Sequence, residues 1–266
     1  MKKRADILLV EKNLAKSREK AKVMIIAGIV RSGDAVVASP SERFDEAEPL
    51  FVTGNDCPYV SRGGLKLEKA ILEFGIELNG KICLDVGCST GGFTDCLLRS
   101  GAKTVYAVDV GYGQFDWALR NDARVKLFER TNARYMDENS FDQPVEFASV
   151  DVSFISLKLI LPALLNIKHA PGLQVAALIK PQFEAGRQLV GKKGVVRDPK
   201  VHAQVISDIL DFAQNLGFGV RGLAFSPVKG PSGNIEYLAY LISGEPGMQT
   251  GEMVRRTVDI SHKSLV

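Results

Sequence analysis

The stretch KICLDVGCSTGGFT, residues 81–94, decides the fold of this chain of 266 residues. It opens as a largely apolar run typical of a buried β-strand, and Gly87, Gly91 and Gly92 then form a glycine-rich turn before a helix predicted to end near Ser100. Glycines let the backbone pass close to a ligand, and a helix N-terminus presents unpaired N–H groups to an anion. We therefore predict a nucleotide-type cofactor site at the end of a strand.

Apolar strand patterns alternate with helical patterns beyond this turn, which is typical of a parallel sheet covered on both faces. The clearest helix covers residues 199–216, because Asp198 can cap it, Pro199 fits its first turn and Gly217 can end it. The predicted strands are residues 81–86, 104–109, 145–150, 174–179, 219–225 and 237–242. The predicted fold class is α/β with a mostly parallel sheet.

The first 31 residues are strongly basic, with nine Lys or Arg against three Asp or Glu. We predict a small α+β unit there: helices over residues 5–13 and 17–27, a turn at residues 32–34, and strands over residues 29–31, 35–38 and 50–53. A boundary near residue 60 divides the chain into residues 1–60, a large domain of residues 61–245, and a polar C-terminal tail of residues 246–266. We expect the tail to be disordered.

The composition excludes several classes of protein. The net charge of +3 does not by itself indicate a nucleic-acid partner. The apolar run of residues 7–10 is too short for an export signal, and no run approaches the roughly 18 apolar residues of a membrane span, so we expect a cytoplasmic protein with no membrane partner. The four cysteines form no CxxC pair, so no metal site is expected, and Cys83 and Cys96 are predicted core residues.

The pattern Asp85-x-Gly87-x-x-x-Gly91-Gly92 differs from the G-x-G-x-x-G of dinucleotide sites, because Ser89 stands where the second glycine belongs. It resembles motif I of class I methyltransferases, which implies S-adenosylmethionine as cofactor and a Rossmann-like domain with a seven-stranded sheet. Asp109 ends the next strand, where an acid can accept both ribose hydroxyls. The predicted cofactor-binding residues are Asp85, Gly87, Ser89, Thr90, Gly91, Gly92, Asp109 and Asn132.

Four charged residues arrive at one edge of the predicted sheet. Asp151 and Lys180 follow strands directly, while Lys66 on a preceding helix and Glu236 at the start of the last strand can reach the same crevice. Together they resemble the Lys-Asp-Lys-Glu tetrad of FtsJ-like 2'-O-methyltransferases. The context is similar to the TlyA (haemolysin A-like) family over nearly the whole chain, on residues 61–67, 85–94, 151–154, 180–184, 191–199 and 234–236.

The TlyA resemblance implies methyl transfer to a ribose 2'-hydroxyl of ribosomal RNA, on a cytidine, with the tetrad as catalytic residues. The reaction needs a base for the hydroxyl proton. Lys180 is the candidate, and its pKa must then fall below the ordinary ~10.4. Alternatively, Lys180 stays charged and stabilises the forming alkoxide while Asp151 orients it.

Residues 17–33 resemble the S4 RNA-binding module, although Arg31-Ser32-Gly33 stands where that family usually has Val-Asn-Gly. The resemblance implies that basic residues of the second helix contact RNA, where each neutralised phosphate steepens the salt dependence of binding. The implied partner is ribosomal RNA or a ribosomal subunit. The predicted RNA-binding residues are Arg18, Lys20, Lys22, Arg31 and Arg62.

Three alternatives compete with this interpretation. Asp151-Val-Ser-Phe154 is faintly similar to the Asn/Asp-Pro-Pro-Tyr/Phe motif of base N-methyltransferases, but it lacks both prolines. A secreted pore-forming haemolysin is suggested only by the historical family name. A non-catalytic S4-containing binding protein is disfavoured by the intact tetrad.

Overall fold

The computed structural model describes residues 2–26, 28–33, 35–52, 57–191 and 193–265. Within these ranges the strands are β1 (Lys2–Arg4), β2 (Val30–Ser32), β3 (Ala35–Val36), β4 (Arg43–Asp45), β5 (Leu50–Val52), β6 (Ile82–Val86), β7 (Thr104–Val108), β8 (Val125–Phe128), β9 (Val145–Val150), β10 (His169–Ile179), β11 (Phe218–Phe225) and β12 (Tyr237–Ser243). The α-helices there are α1 (Ala5–Glu11), α2 (Arg18–Ile26), α3 (Gly63–Phe74), α4 (Gly92–Arg99), α5 (Trp117–Arg120), α6 (Leu161–Asn166), α7 (Pro181–Glu184), α8 (Pro199–Asn215) and α9 (Gly251–Leu265).

A seven-stranded sheet in the order β11-β12-β10-β9-β6-β7-β8 organises the larger part of the chain. Its pairs are parallel from β10 to β8, and β12 runs antiparallel to both of its neighbours. The strand order reverses between β6 and β9, and ligands bind outside the carboxyl ends of the strands at such a switch point. The predicted mostly parallel seven-stranded sheet is therefore confirmed.

The sheet separates two cores, because successive side chains of a strand point to opposite faces. In β6, Leu84 and Val86 pack on the face covered by α6, α8 and α9. Cys83 packs on the opposite face with α3 and α4, as does Cys96 of α4, so the prediction that both cysteines are core residues is confirmed. Asp198 caps α8 by accepting the Lys200 N–H, as predicted.

One strand of this sheet has no counterpart among the predicted ones. β8 forms its edge beside β7 and reads Val-Lys-Leu-Phe within a charged stretch. All four residues are only partly buried, so the strand carries no continuous apolar run. An edge strand of this length gives too weak a pattern to be recognised from the sequence.

The N-terminal residues have a small core of their own around Leu8, Leu9 and Ile25. Both predicted helices are present, and the Ser17 hydroxyl caps the second by accepting the Lys20 N–H. β2 pairs with β3 and β5 in the predicted hairpin arrangement, with Gly33 at a φ of +56°. The predicted ranges also include Ala27, Asp34 and Thr53, which lie outside the described residues. β1 and β4 pair with each other and were not predicted.

The expectation of a disordered C-terminal tail is wrong. Residues 251–265 form α9, which packs against α8 and β11 and buries Val254, Thr257, Val258 and Ser261. These positions recur at helical spacing, but two of them are small and polar. The sequence therefore shows only a weak apolar stripe, although the helix is seated on the larger core.

Candidate active site

The four predicted catalytic residues meet at the carboxyl edge of the sheet. Lys66 Nζ, on α3, lies 2.6 Å from Glu236 Oε2 and 3.7 Å from Asp151 Oδ2. Lys180 Nζ lies 2.5 Å from Asp151 Oδ1 and donates a hydrogen bond of 3.0 Å to Ser153 Oγ. Asp151 follows β9, Lys180 follows β10, and Glu236 precedes the antiparallel β12, so the topology brings all of them to one place.

Burial makes this cluster dependent on its own pairing. The Lys66, Lys180 and Glu236 side chains are each no more than 10% exposed. Burial alone would lower the pKa of Lys66, but Asp151 and Glu236 outweigh it and raise that pKa. Burial would likewise raise the pKa of Asp151, and the two lysines hold it below its ordinary value. Lys66 is therefore charged and Asp151 ionised, each compensated by its neighbours.

The glycine-rich turn lies beside the cluster, between β6 and α4. Gly87 has a φ of +86°, and a Cβ there would lie 2.5 Å from the Asp151 carbonyl oxygen. Gly91 has a φ of +97° and is the residue before α4. Both positions need glycine, one for backbone approach and both for conformation. Gly92 begins α4 against Ser61 and Gly64 at the start of α3.

Asp85 lies beneath this turn and is completely buried. Its carboxylate accepts hydrogen bonds from the Thr94 hydroxyl at 2.7 Å and the Ser149 hydroxyl at 3.3 Å. Burial outweighs these donors and raises the pKa of Asp85 to about 7. The side chain thus braces β6, α4 and β9 from within, and a direct contact with a cofactor stays a prediction.

The second predicted acid occupies the end of β7. Asp109 Oδ2 accepts the Ser89 N–H at 2.8 Å, and Asp109 Oδ1 accepts the Gly111 N–H at 2.6 Å. Each carboxylate oxygen keeps a second lone pair, so two hydroxyls can still bind there. Ser89 adopts a left-handed φ of +48°, which aims its N–H at this carboxylate. Thr90 is buried and its carbonyl oxygen accepts the Asp116 N–H.

A cavity of about 420 Å³ lies beyond β7 and β8. Val108, Phe128 and Met136 give it apolar walls, and Asn132 and Thr131 add polar groups to its lining. The Asn132 side chain also caps a short turn by accepting the Arg134 N–H. Arg130, Tyr135 and Ser140 also line the cavity, which therefore combines apolar walls with hydrogen-bonding groups and suits a planar base.

The loop after Asp151 presents an aromatic ring to solvent. Phe154 is 90% exposed and has a φ of +63°, which is strained for a bulky side chain. Its ring lies 4.9 Å from that of Phe183 in α7, centroid to centroid. Ser153 and Phe154 had no assigned role in the sequence prediction beyond their likeness to a base-methyltransferase motif, since exposure and backbone strain leave no signal in a sequence.

The predicted RNA-binding residues differ in their exposure and in their ion pairs. Lys20 is exposed on α2 and Lys22 is partly exposed, but Arg18 is held at 3.1 Å by Asp6, a fully buried carboxylate that also binds Arg4. Half of the Arg18 side chain is still exposed.

The remaining two predicted RNA-binding residues, Arg31 and Arg62, are both partly buried. Arg62 precedes α3, and its side chain fills the space beside Gly28. It therefore lies where the N-terminal residues meet the larger part of the chain. RNA contact by this set stays a prediction.

None of the described helices is long and apolar enough to span a bilayer. Across the described ranges, no three His, Cys, Asp or Glu side chains gather in a way that could hold a metal ion.

Comparison with known proteins places this geometry in context. Residues 59–242 match the model of the FtsJ-like methyltransferase family. YqxC of Bacillus subtilis, which is named as an rRNA methyltransferase, is 53% identical over 99% of this chain and 95% of its own length. The 16S/23S rRNA (cytidine-2'-O)-methyltransferase TlyA of Mycobacterium tuberculosis is 44% identical over 90% of this chain and 89% of its own. Hemolysin A of Brachyspira hyodysenteriae is 43% identical over 90% of this chain and 99% of its own.

A solved structure is similar over almost the full length. The Streptococcus thermophilus protein named as a hemolysin superposes with a TM-score of 0.78 at 45% identity, covering 98% of this chain and 96% of its own.

Proposed function

Because the chain belongs to the FtsJ-like methyltransferase family, we propose that it methylates a ribose 2'-hydroxyl of ribosomal RNA, on a cytidine. The observation that carries this proposal is the convergence of Lys66, Asp151, Lys180 and Glu236 beside the glycine-rich turn. The relatives named for cytidine 2'-O-methylation of rRNA support the choice of substrate. Family membership itself confirms the predicted enzyme class, a methyltransferase, and with it the cofactor, S-adenosylmethionine.

The residues at the strand ends fit that cofactor. The free lone pairs of Asp109 suit the two ribose hydroxyls, the cavity beyond β7 suits the adenine, and the turn before α4 suits the amino acid part. When bound there, S-adenosylmethionine supplies an electrophilic methyl group on a sulfonium sulfur.

Lys180 is placed to handle the hydroxyl proton. Two of the bonding positions of its Nζ are directed at Asp151 and Ser153, which leaves one for the ribose oxygen. As the ribose oxygen bonds to the methyl carbon in place of the departing sulfur, which keeps the electron pair of the broken C–S bond, the hydroxyl proton passes to Lys180 in its amine form. Asp151 fixes the direction of Lys180 through one carboxylate oxygen, and Lys66 contacts the other oxygen of the same carboxylate.

Methyl transfer by the full chain tests this assignment. We expect Lys180→Ala to abolish methylation of ribosomal subunits from cells lacking this protein, while its affinity for S-adenosylmethionine stays within about twofold of the wild type. Lys168→Ala is the matched control, because Lys168 precedes β10 at the end opposite Lys180. Equal rates for wild type and Lys180→Ala would overturn the assignment, and mapping the product distinguishes a ribose from a base methyl group.

The pH dependence separates the two roles of Lys180. A base must be unprotonated, so the logarithm of the single-turnover rate should rise with unit slope below the pKa that governs it. A rate that stays constant from about pH 6 to 9 would instead assign Lys180 the role of a fixed cation beside the alkoxide.

We propose that the exposed ring of Phe154 binds the target base. A 2'-hydroxyl can reach the buried Lys180 only if its nucleotide leaves the RNA helix, and an unstacked base then needs a new surface. Stacking on an aromatic ring contributes about 1–3 kcal/mol per base, so Phe154→Ala should slow methylation by about 5- to 150-fold. If Phe154→Ala has the same kinetics as the wild type, the ring does not bind the target base.

Two alternative functions receive less support. For base N-methylation Asp151 would have to bind an exocyclic amine, yet both lysines already occupy its carboxylate. Pore formation is suggested by the name of the Brachyspira relative. Leakage of dye from liposomes by the purified chain, at concentrations that give methyl transfer, would be needed to support it.

A further inference from the structure

The strained loop of residues 151–156 is held by the segment that follows Lys180. Lys180 itself donates to Ser153 Oγ, and Phe183 places its ring against Phe154. Glu184 ends α7 and reaches further along the same loop: its Oε2 accepts the Ser156 hydroxyl at 2.6 Å, and its Oε1 accepts the Leu157 N–H at 2.8 Å. The ends of β9 and β10 are thereby joined through three residues, Lys180, Phe183 and Glu184.

Glu184 does more than cap the short helical turn of Leu157–Leu159. That turn already has a cap, because the Ser156 oxygen accepts the Lys158 N–H. Both carboxylate oxygens of Glu184 are used on this loop, one on each side of the Ser156–Leu157 peptide unit. Such a two-point contact fixes the position of the loop and its orientation.

The Phe154 backbone needs such a restraint. A bulky residue leaves the left-handed region of φ unless its surroundings hold it there, and the Phe154 ring, 90% exposed, gains little from packing beyond its contact with Phe183. Lys180 contacts the loop one residue before Phe154, at Ser153, and Glu184 contacts it two residues after Phe154, at Ser156. Glu184 is therefore positioned to restrain the far side of the loop.

We propose that Glu184 is a positioning residue, which holds Phe154 in the orientation that receives the target base and so sets the ribose against Lys180. The inference rests on the proposed function, since it specifies how that site binds its nucleotide. Glu184 touches neither the tetrad nor the predicted cofactor residues in any of the hydrogen bonds described, so it acts through the loop.

Single-turnover methylation of ribosomal subunits tests the proposal. Glu184→Ala should lower the rate at saturating RNA at least tenfold, while the affinities for S-adenosylmethionine and for the subunit stay within about twofold. Glu184→Gln is the matched control: its amide oxygen can still accept one loop donor, and we expect a rate within about threefold of the wild type. Equal rates for all three proteins overturn the proposal.

A double-mutant cycle identifies the route of the effect. If Glu184 acts through Phe154, then Glu184→Ala should add less than about twofold to the loss already caused by Phe154→Ala. Multiplication of the two effects would show that Glu184 acts independently of the ring and would overturn the proposal. A wild-type chain that transfers no methyl group to ribosomal RNA would instead refute the proposed function.

A spectroscopic measurement covers the case in which Glu184→Ala lowers activity by weakening the whole fold. The chain has a single tryptophan, Trp117, so Phe154→Trp in a Trp117→Phe background gives one reporter at the loop. Glu184→Ala in this background should reduce the fluorescence anisotropy of the reporter in folded protein, and Glu184→Gln should not. Unchanged anisotropy together with a lowered melting temperature would assign Glu184 a purely structural role and overturn the proposal.

Discussion

Replacing the buried Asp85 by asparagine should change how stability depends on pH. The pKa of Asp85 is raised from 3.8 to about 7 in the folded chain, so between these values the folded state holds a proton that the unfolded state has lost. Stability then falls as pH rises, by about 1.4 kcal/mol per pH unit, and stops falling above about pH 7.

The magnitude follows from the two pKa values. Between pH 5 and 8.5 the wild type should lose about 3 kcal/mol of unfolding free energy through this carboxyl group alone. Asp85→Asn cannot titrate, and its amide oxygen can still accept the Thr94 hydroxyl. The difference in stability between the two proteins should therefore shift by about 3 kcal/mol in favour of the variant across that range.

Urea denaturation at a series of pH values measures this difference. Other groups whose protonation changes in the same range, such as His202 and His262, contribute equally to both proteins and cancel. A difference that stays constant with pH would refute the argument, because it would mean that Asp85 remains ionised in the folded chain despite its burial.

Three further predictions concern other parts of the molecule. Neutralising Arg18, Lys20 and Lys22 should weaken RNA binding and flatten its salt dependence; an unchanged salt slope in a filter-binding assay would remove α2 from the interface. Burial lowers the pKa of His202, so the contribution of this side chain to stability should fall as pH drops through about 6.5, and the difference in stability between wild type and His202→Gln should change over that range in denaturation curves. Val258→Ala should cost about 2 kcal/mol of unfolding free energy, whereas an unchanged value would mean that α9 does not pack on the sheet.

Much of the sheet could be predicted because its central strands are buried on both faces. β6, β7 and β9 each give a short apolar run, and such runs need little context to be recognised. β8 and α9 escape recognition for the opposite reason: an edge strand and a surface helix bury few apolar groups, and their positions depend on the sheet already being there.

The candidate site, like the sheet, could be predicted from the sequence only in part. Asp151 and Lys180 could be placed from the sequence, because each directly follows a recognisable strand. The proximity of Lys66 to Glu236 came from a family resemblance, since neither spacing nor periodicity shows that residues so far apart will touch. The contact of Glu184 with the loop of Phe154 could not be predicted, as it depends on the conformation of two irregular segments.

β12 enters the sheet last in chain order, yet it occupies an interior place between β10 and β11. Glu236 leads into this strand and pairs with Lys66, which lies 170 positions earlier. Contacts between residues so far apart in sequence form slowly, because closing the long loop between them costs conformational entropy before the contact can stabilise the fold. During refolding, activity should therefore recover more slowly than the circular-dichroism signal of the helices. Fragments that end before β12 should fold in part but show no methyltransferase activity.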